Sequence, residues 1–166
     1  MQGPVLSWAR YPYFTQPLRR VAWSWITWWV KVRFPTVATL SPQRLALQLQ
    51  QGSADSPLLL DARTAEEFAV SHLPQAHHTP TLEAALALDL APQQPIVVYC
   101  SVGYRSARLA AQLQQQGFTQ VQNLIGSLFL WANQGRPLQQ DGQVTRAVHP
   151  YNPVWGLLLA PQAERG

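Results

Sequence analysis

Pro95-Ile96-Val97-Val98-Tyr99-Cys100-Ser101-Val102-Gly103-Tyr104-Arg105-Ser106 lies in the middle of a chain of 166 residues, an apolar run followed at once by a tight polar loop. Its first five residues are β-branched or aromatic after the proline, the pattern of a central strand buried on both faces. From Ser106 to Gln116 the periodicity changes: Leu109, Ala110 and Leu113 recur at helical spacing, and Gly117 ends the run. Cys100 therefore sits at the C-terminal end of a buried strand, one short loop before a helix.

Working outward, the same alternation repeats on both sides. Upstream, Ser41 before Pro42 predicts a capped helix through about Gln51, closed by Gly52. Leu58-Leu59-Leu60-Asp61 reads as a strand, and Thr64 with Glu67 three residues on is a capping-box signature for the next helix. Thr81 and Glu83 open a further helix to about Asp89. Downstream, a strand is predicted around Val121 to Leu124 and a helix over Ser127 to Gln134, after which the chain reads as irregular, with a turn at Asp141-Gly142. Strands alternating with helices over short connections imply a mainly parallel sheet covered on both faces, with its ligands beyond the C-terminal strand ends, where Cys100 lies.

The chemistry of the loop follows from its backbone. Gly103 can take positive φ, which lets successive N–H groups point inward as an anion nest, and the helix start adds its positive end. A thiol held there loses its proton more readily than a free one, so the nucleophilic thiolate is populated. Arg105 adds charge and a planar fork for an oxyanion. Such a thiolate suits attack on a sulfane sulfur: Cys100 takes the atom as a persulfide and a second thiophile removes it, so one cysteine suffices.

Leu60-Asp61-Ala62-Arg63, Glu66-Glu67-Phe68, His72-Leu73-Pro74 and the run from Val97 through Ser106 together resemble the rhodanese family, whose C-x-x-G-x-R-S loop is present without change. The resemblance covers about Ser41 to Leu138. It implies a three-layer α/β/α rhodanese-like domain at 41–138, between a basic Trp-rich extension at 1–40 and a tail at 139–166. It also implies a sulfurtransferase with a persulfide on Cys100 and substrate contacts from Ser101, Val102, Gly103, Tyr104, Arg105 and Ser106. The partners implied are a small sulfur donor such as thiosulfate and a thiol, cyanide or protein acceptor, with no cofactor and no metal. Related phosphatases and arsenate reductases place five residues between cysteine and arginine; here there are four, a smaller cradle suited to sulfur. Where the family usually has glycine before the His and after the Pro, this chain has Ser71 and Gln75.

The remaining site residues are read as structural neighbours. Asp61 ends a strand near the loop, and Arg63 is expected to pair with Glu67 and fix the following turn. Ser106 is expected to cap the helix, and Tyr104 to shape the pocket mouth. His72, His77, His78 and His149 show no helix i, i+4 pairing, which argues against a metal.

The formal charge of +4 is local: residues 1–40 hold Arg10, Arg19, Arg20, Lys31 and Arg33 without an acid, while the remainder is close to neutral. No basic stripe on the folded part suggests nucleic acid. One cysteine forbids an internal disulfide or a Cys-x-x-Cys pair, and the sequence lacks a secretory pattern, so a cytoplasmic setting is expected. Five of the seven tryptophans lie in the extension. On a helix, Arg20, Ser24, Thr27 and Lys31 share one side and Val21, Trp25, Trp28, Trp29 and Val32 the other. Docking of this apolar face on the domain's own core is the preferred reading; the alternative is peripheral membrane contact through residues 20–34, and with it a non-catalytic rhodanese-like module that binds partners at a membrane surface in place of an enzyme. Val21 to Val30 would reach only about 15 Å of the roughly 30 Å needed to cross a bilayer.

Overall fold

A computed structural model describes residues 15–52 and 56–161. Trp8 and Arg10 of the extension lie outside the described residues. Five parallel strands form the central sheet: β1 (Ala38–Leu40), β2 (Leu58–Asp61), β3 (His77–His78), β4 (Ile96–Tyr99) and β5 (Val121–Leu124), in the order β1-β5-β4-β2-β3. The most apolar strand, β4, takes the middle, and all four of its residues are buried. Because side chains alternate along a strand, Leu59, Val97, Tyr99 and Leu124 feed one core cluster, while Leu60, Ile96, Val98 and Val121 feed the other.

Each cluster is closed by helices. On the first face lie α1 (Gln16–Arg33), α2 (Pro42–Gln51) and α6 (Ser127–Asn133), through Ala22, Trp23 and Ile26, Leu45, and Leu128, Phe129 and Trp131. On the second face lie α4 (Leu82–Leu86) and α5 (Tyr104–Gln115), through Ala85, Leu109, Ala110 and Leu113. The short α3 (Ala65–Val70) follows β2. This is the α/β/α layering that the alternation of strands and helices predicts.

Local signals hold where side chain and backbone agree. Ser41 accepts the Arg44 N–H at 3.3 Å, and Gly52 closes α2 at φ 56°. Thr64 and Glu67 form the reciprocal capping box, at 3.3 and 3.1 Å. Other expectations are corrected. The short strands β1 and β3, the latter paired with β2, were not anticipated. Helix α5 begins at Tyr104 with Gly103 as its N-cap, so Ser106 lies inside the helix and does not cap it. Helix α4 stops at Leu86, before Asp89 at φ 50°.

The segment after Gly135 is more regular than the sequence predicts. A hairpin, β6 (Leu138–Gln140) and β7 (Gln143–Thr145), turns at Asp141-Gly142, and α7 (Pro153–Gly156) is capped by Asn152. Val148, Leu158 and Leu159 are buried in the first-face cluster. Asn133 pins the chain there, donating to the Leu158 carbonyl at 2.8 Å and accepting from the Ala160 N–H at 2.6 Å. Ser71, standing where the resemblance leads one to expect glycine, donates its hydroxyl to the Ala147 carbonyl at 2.6 Å. Gln75 adopts φ 61°, the left-handed conformation that glycine favours.

The extension also departs from expectation. Helix α1 does lie on the domain, but through Ala22, Trp23, Ile26 and the buried Val30. The face expected to dock points the other way: Val21, Trp25, Trp28, Trp29 and Val32 are exposed, together with Leu18. Among the described residues, no helix is long and apolar enough to cross a membrane.

Candidate active site

The loop after β4 owes its shape to groups outside it. The Cys100 and Ser101 carbonyls accept the N–H groups of Leu128 and Phe129 at 3.0 and 3.1 Å, so the start of α6 is satisfied by the loop. The Gly103 carbonyl accepts from Asn123 Nδ2 at 2.9 Å, and Cys100 N–H donates to Ser127 Oγ at 3.1 Å. In a trans peptide the C=O and N–H point opposite ways. Pinning these carbonyls toward β5 and α6 therefore turns the following N–H groups away from them. Gly103, at φ 115°, makes the reversal possible.

Within this frame Cys100 Sγ accepts the Gly103 N–H at 3.2 Å. The Ser106 hydroxyl lies within hydrogen-bond reach of both Sγ, at 3.4 Å, and Asn123 Oδ1, at 2.7 Å. Burial alone raises the thiol's pKa, yet the net direction is downward. The Arg105 charge, the Ser106 hydroxyl and the backbone N–H groups of Ser106 and Gly103 together outweigh the desolvation.

Arg105 is itself engaged. Its Nη1 and Nη2 donate to Glu67 Oε2 and Oε1 at 2.7 and 2.8 Å, and Nη2 also donates to Ser101 Oγ at 2.9 Å. The Ser101 hydroxyl donates to Glu67 Oε1 at 2.6 Å. Burial pushes the Glu67 carboxyl up, but the bonds from Arg105 and Ser101 and the Arg105 charge bring its pKa down to about 2. The expected Arg63–Glu67 pair is thus corrected. Arg63 binds Asp61 instead, with Nε and Nη2 on the carboxylate at 2.9 and 2.6 Å, and its Nη2 reaches the Ser71 carbonyl at 2.6 Å. Both members of that pair are fully buried, and they hold the β2–α3 turn.

Of the residues singled out in the sequence, the structure brings Cys100, Gly103, Arg105, Ser106 and Glu67 together. Ser101 turns its hydroxyl to Glu67, and Val102 packs its side chain into the core. Tyr104 lines a pocket of about 160 Å³ over the cysteine, with Trp29, Ser101, Val102, Arg105, Tyr151 and Trp155. Asn123, Ser127, Tyr151 and Trp155 escaped the sequence reading as site residues, and Trp29 was read there only as part of the apolar face of the extension. They reach the loop from β5, α6, α1 and the tail, and no motif in their own segments marks them. Among the described residues, no group of three or more His, Cys, Asp or Glu side chains could hold a metal.

The comparisons with known proteins agree with this geometry. Over 93 residues the chain is 37% identical to a protein named sulfurtransferase from Allochromatium vinosum, covering 54% of this chain and 87% of that one. Over 99 residues it is 34% identical to the thiosulfate sulfurtransferase GlpE of Pseudomonas aeruginosa, covering 58% of this chain and 84% of that protein. The BH2092 protein of Bacillus halodurans superposes with a TM-score of 0.57 at 22% identity, over 63% of this chain and 78% of that structure, a likeness of fold. The sequence model for the rhodanese-like domain matches residues 41–134, more than half of the chain, and the protein belongs to the rhodanese-like domain family.

Proposed function

We propose that this rhodanese-type sulfurtransferase carries sulfane sulfur as a persulfide on Cys100. The observation that carries the reading is the set of groups lowering the Cys100 pKa: the Gly103 N–H at 3.2 Å, the Ser106 N–H and hydroxyl, and the Arg105 charge. A thiolate so held attacks the outer sulfur of a donor such as thiosulfate. The new Cys100–sulfur bond forms as the donor's S–S bond breaks, and the electron pair leaves on sulfite. The persulfide anion then occupies the same N–H groups until an acceptor, cyanide or a thiol, attacks its terminal sulfur and returns the pair to Cys100. Nothing is oxidised or reduced beyond the sulfur exchanged, so no second cysteine and no cofactor is required.

Intact mass after incubation with a sulfane donor tests this. The wild type gains one sulfur atom, loses it on addition of cyanide with release of thiocyanate, and Cys100→Ser gains none. A wild-type protein that stays at its starting mass with every donor would refute the reading.

A second reading concerns where the protein works, and the exposed face of α1 favours it. Leu18, Val21, Trp25, Trp28, Trp29 and Val32 are all exposed and, at helical spacing, fall on one arc beside the docked residues. Arg20 and Lys31 border one edge of that arc and Arg33 the other, and α1 holds no acidic residue. An aromatic face edged by cations is complementary to a lipid surface bearing anionic headgroups. We read α1 as lying in that interface, with the domain above it.

A further inference from the structure

Four aromatic side chains surround the mouth of the cysteine pocket, and they come from three parts of the chain. Trp29 of α1 stacks on Tyr104, with ring centroids 4.6 Å apart and planes 11° from parallel. Phe34 meets the same Tyr104 ring edge-on at 5.4 Å. From the tail, Tyr151 lies with its ring 4.7 Å from the Arg105 guanidinium carbon, and Trp155 completes the lining. Tyr151 is at φ 64°, a left-handed conformation that is strained for a bulky residue. Its N–H is held by His149 Nδ1 at 3.0 Å. Yet the ring so positioned is 46% exposed, as Trp29 is at 43%. Strain spent on placing an exposed aromatic ring beside a reactive thiol points to a ligand contact.

Size and charge narrow the ligand. The pocket holds about 160 Å³, and an apolar cavity of about 150 Å³ accommodates benzene. Among the described residues that line it, the one cation, Arg105, is already bound through both terminal nitrogens by the Glu67 carboxylate and covered by Tyr151. A small dianion such as thiosulfate would meet a guanidinium whose terminal nitrogens are already engaged by Glu67 and Ser101, within an aromatic wall, a poor exchange for its hydration. A sulfane sulfur attached to an apolar group would meet a matching surface.

Resting on the persulfide reading above, we infer that the sulfur donor is an organic sulfane compound whose apolar group, about one ring in size, is gripped by Trp29, Tyr104, Tyr151 and Trp155. Cys100 thiolate attacks the sulfane sulfur, the donor's bond to that sulfur breaks, and the electron pair leaves on the organic fragment, which departs from the aromatic rim.

Benzenethiosulfonate and methanethiosulfonate test the idea, since both carry one charge and the same reacting group and differ in the apolar part. Rates of Cys100 sulfuration, followed by intact mass, are each divided by the compound's rate with free cysteine, with thiosulfate measured alongside. The expected preference for the phenyl compound is roughly tenfold or more, in line with burial of several carbon atoms, and thiosulfate is slowest. Trp29→Ala and Tyr151→Ala should each bring the phenyl-to-methyl ratio to within about threefold of one, while Tyr151→Phe retains the preference. Because each ratio is taken within one protein preparation, partial loss of folded protein cancels. Sulfuration by all three compounds with a wild-type ratio near one, or with a ratio the alanine variants leave unchanged, overturns this inference and leaves the persulfide standing. Sulfuration by none of them overturns both.

Discussion

Glu67 does two jobs with one carboxylate. As N3 of α3 it accepts the Thr64 N–H at 3.1 Å, and from the same position it holds Arg105 against the cysteine loop. Its pKa is depressed to about 2 from an ordinary 4.5. A carboxylate lowered on folding stabilises the native state above its unfolded pKa, and that contribution is lost as pH falls from about 4.5 toward 2. A depression of this size corresponds to on the order of 3 kcal/mol. Glu67→Gln should therefore lower unfolding free energy at pH 7 by a few kcal/mol, leaving Arg105 partly buried without its counter-charge. The gap to wild type should then shrink as pH drops through that window. Denaturant titrations at pH 7, 4.5 and 2.5 check it, and a gap independent of pH would rule out the ion pair as its source. Cys100, Gly103 and Arg105 were legible in the sequence because the loop's chemistry is set by residues adjacent in the chain. The partner of Arg105 was not. Asp61 ends β2 and Glu67 lies in the helix that follows, and only the fold decides that the first takes Arg63 and the second Arg105.

Helix α6 owes its start to the cysteine loop rather than to a capping side chain. Gly126 is its N-cap at φ 64° with no side-chain bond, while Leu128 and Phe129 give their N–H groups to the Cys100 and Ser101 carbonyls. A Cβ at Gly126 would lie 2.5 Å from Leu130 Cβ, inside the first turn of a buried helix. Gly126→Ala should destabilise the protein by at least about 2 kcal/mol, from the left-handed backbone and the clash together. It should also loosen the loop, moving the pH midpoint of Cys100 alkylation by iodoacetamide upward as the N–H groups lose their aim. Destabilisation with an unchanged midpoint would mean that α6 supports the fold without orienting the loop. At this scale the sequence signals that worked were those with a local mechanism, such as Ser41 before Pro42 and Thr64 with Glu67. The edge strands β1 and β3, three and two residues long, are too short to show a period, and they exist through backbone pairing with their neighbours. Ser106 misled for a related reason: its hydroxyl looked free to cap a helix, but Asn123, seventeen residues on, claims it at 2.7 Å.

For the molecule as a whole, the flanking segments matter because they build the pocket and set its surroundings. The sequence placed an amphipathic helix in the extension, but hydropathy alone cannot say which of two apolar strips meets the core. The first-face core cluster takes Ala22, Trp23 and Ile26, and Val30 is buried, whereas the wider strip with Trp25 and Trp28 remains outward. These two rings meet edge to face at 5.2 Å, and both are more than half exposed. Since Trp29 belongs both to this strip and to the pocket rim, a membrane bound by α1 would lie beside the pocket mouth, where apolar sulfane donors partition. Full-length protein should sediment with vesicles containing phosphatidylserine or phosphatidylglycerol and much less with purely zwitterionic ones. Added salt should weaken the binding, because Arg20, Lys31 and Arg33 contribute about 1 kcal/mol each near an anionic surface. Trp25→Gln with Trp28→Gln, at positions that do not line the pocket, should release the protein from vesicles while leaving its thermal midpoint within a few degrees of wild type. Equal recovery of wild type and double variant in the supernatant would remove the lipid surface from the account, and with it the reason for this face of α1 to be apolar.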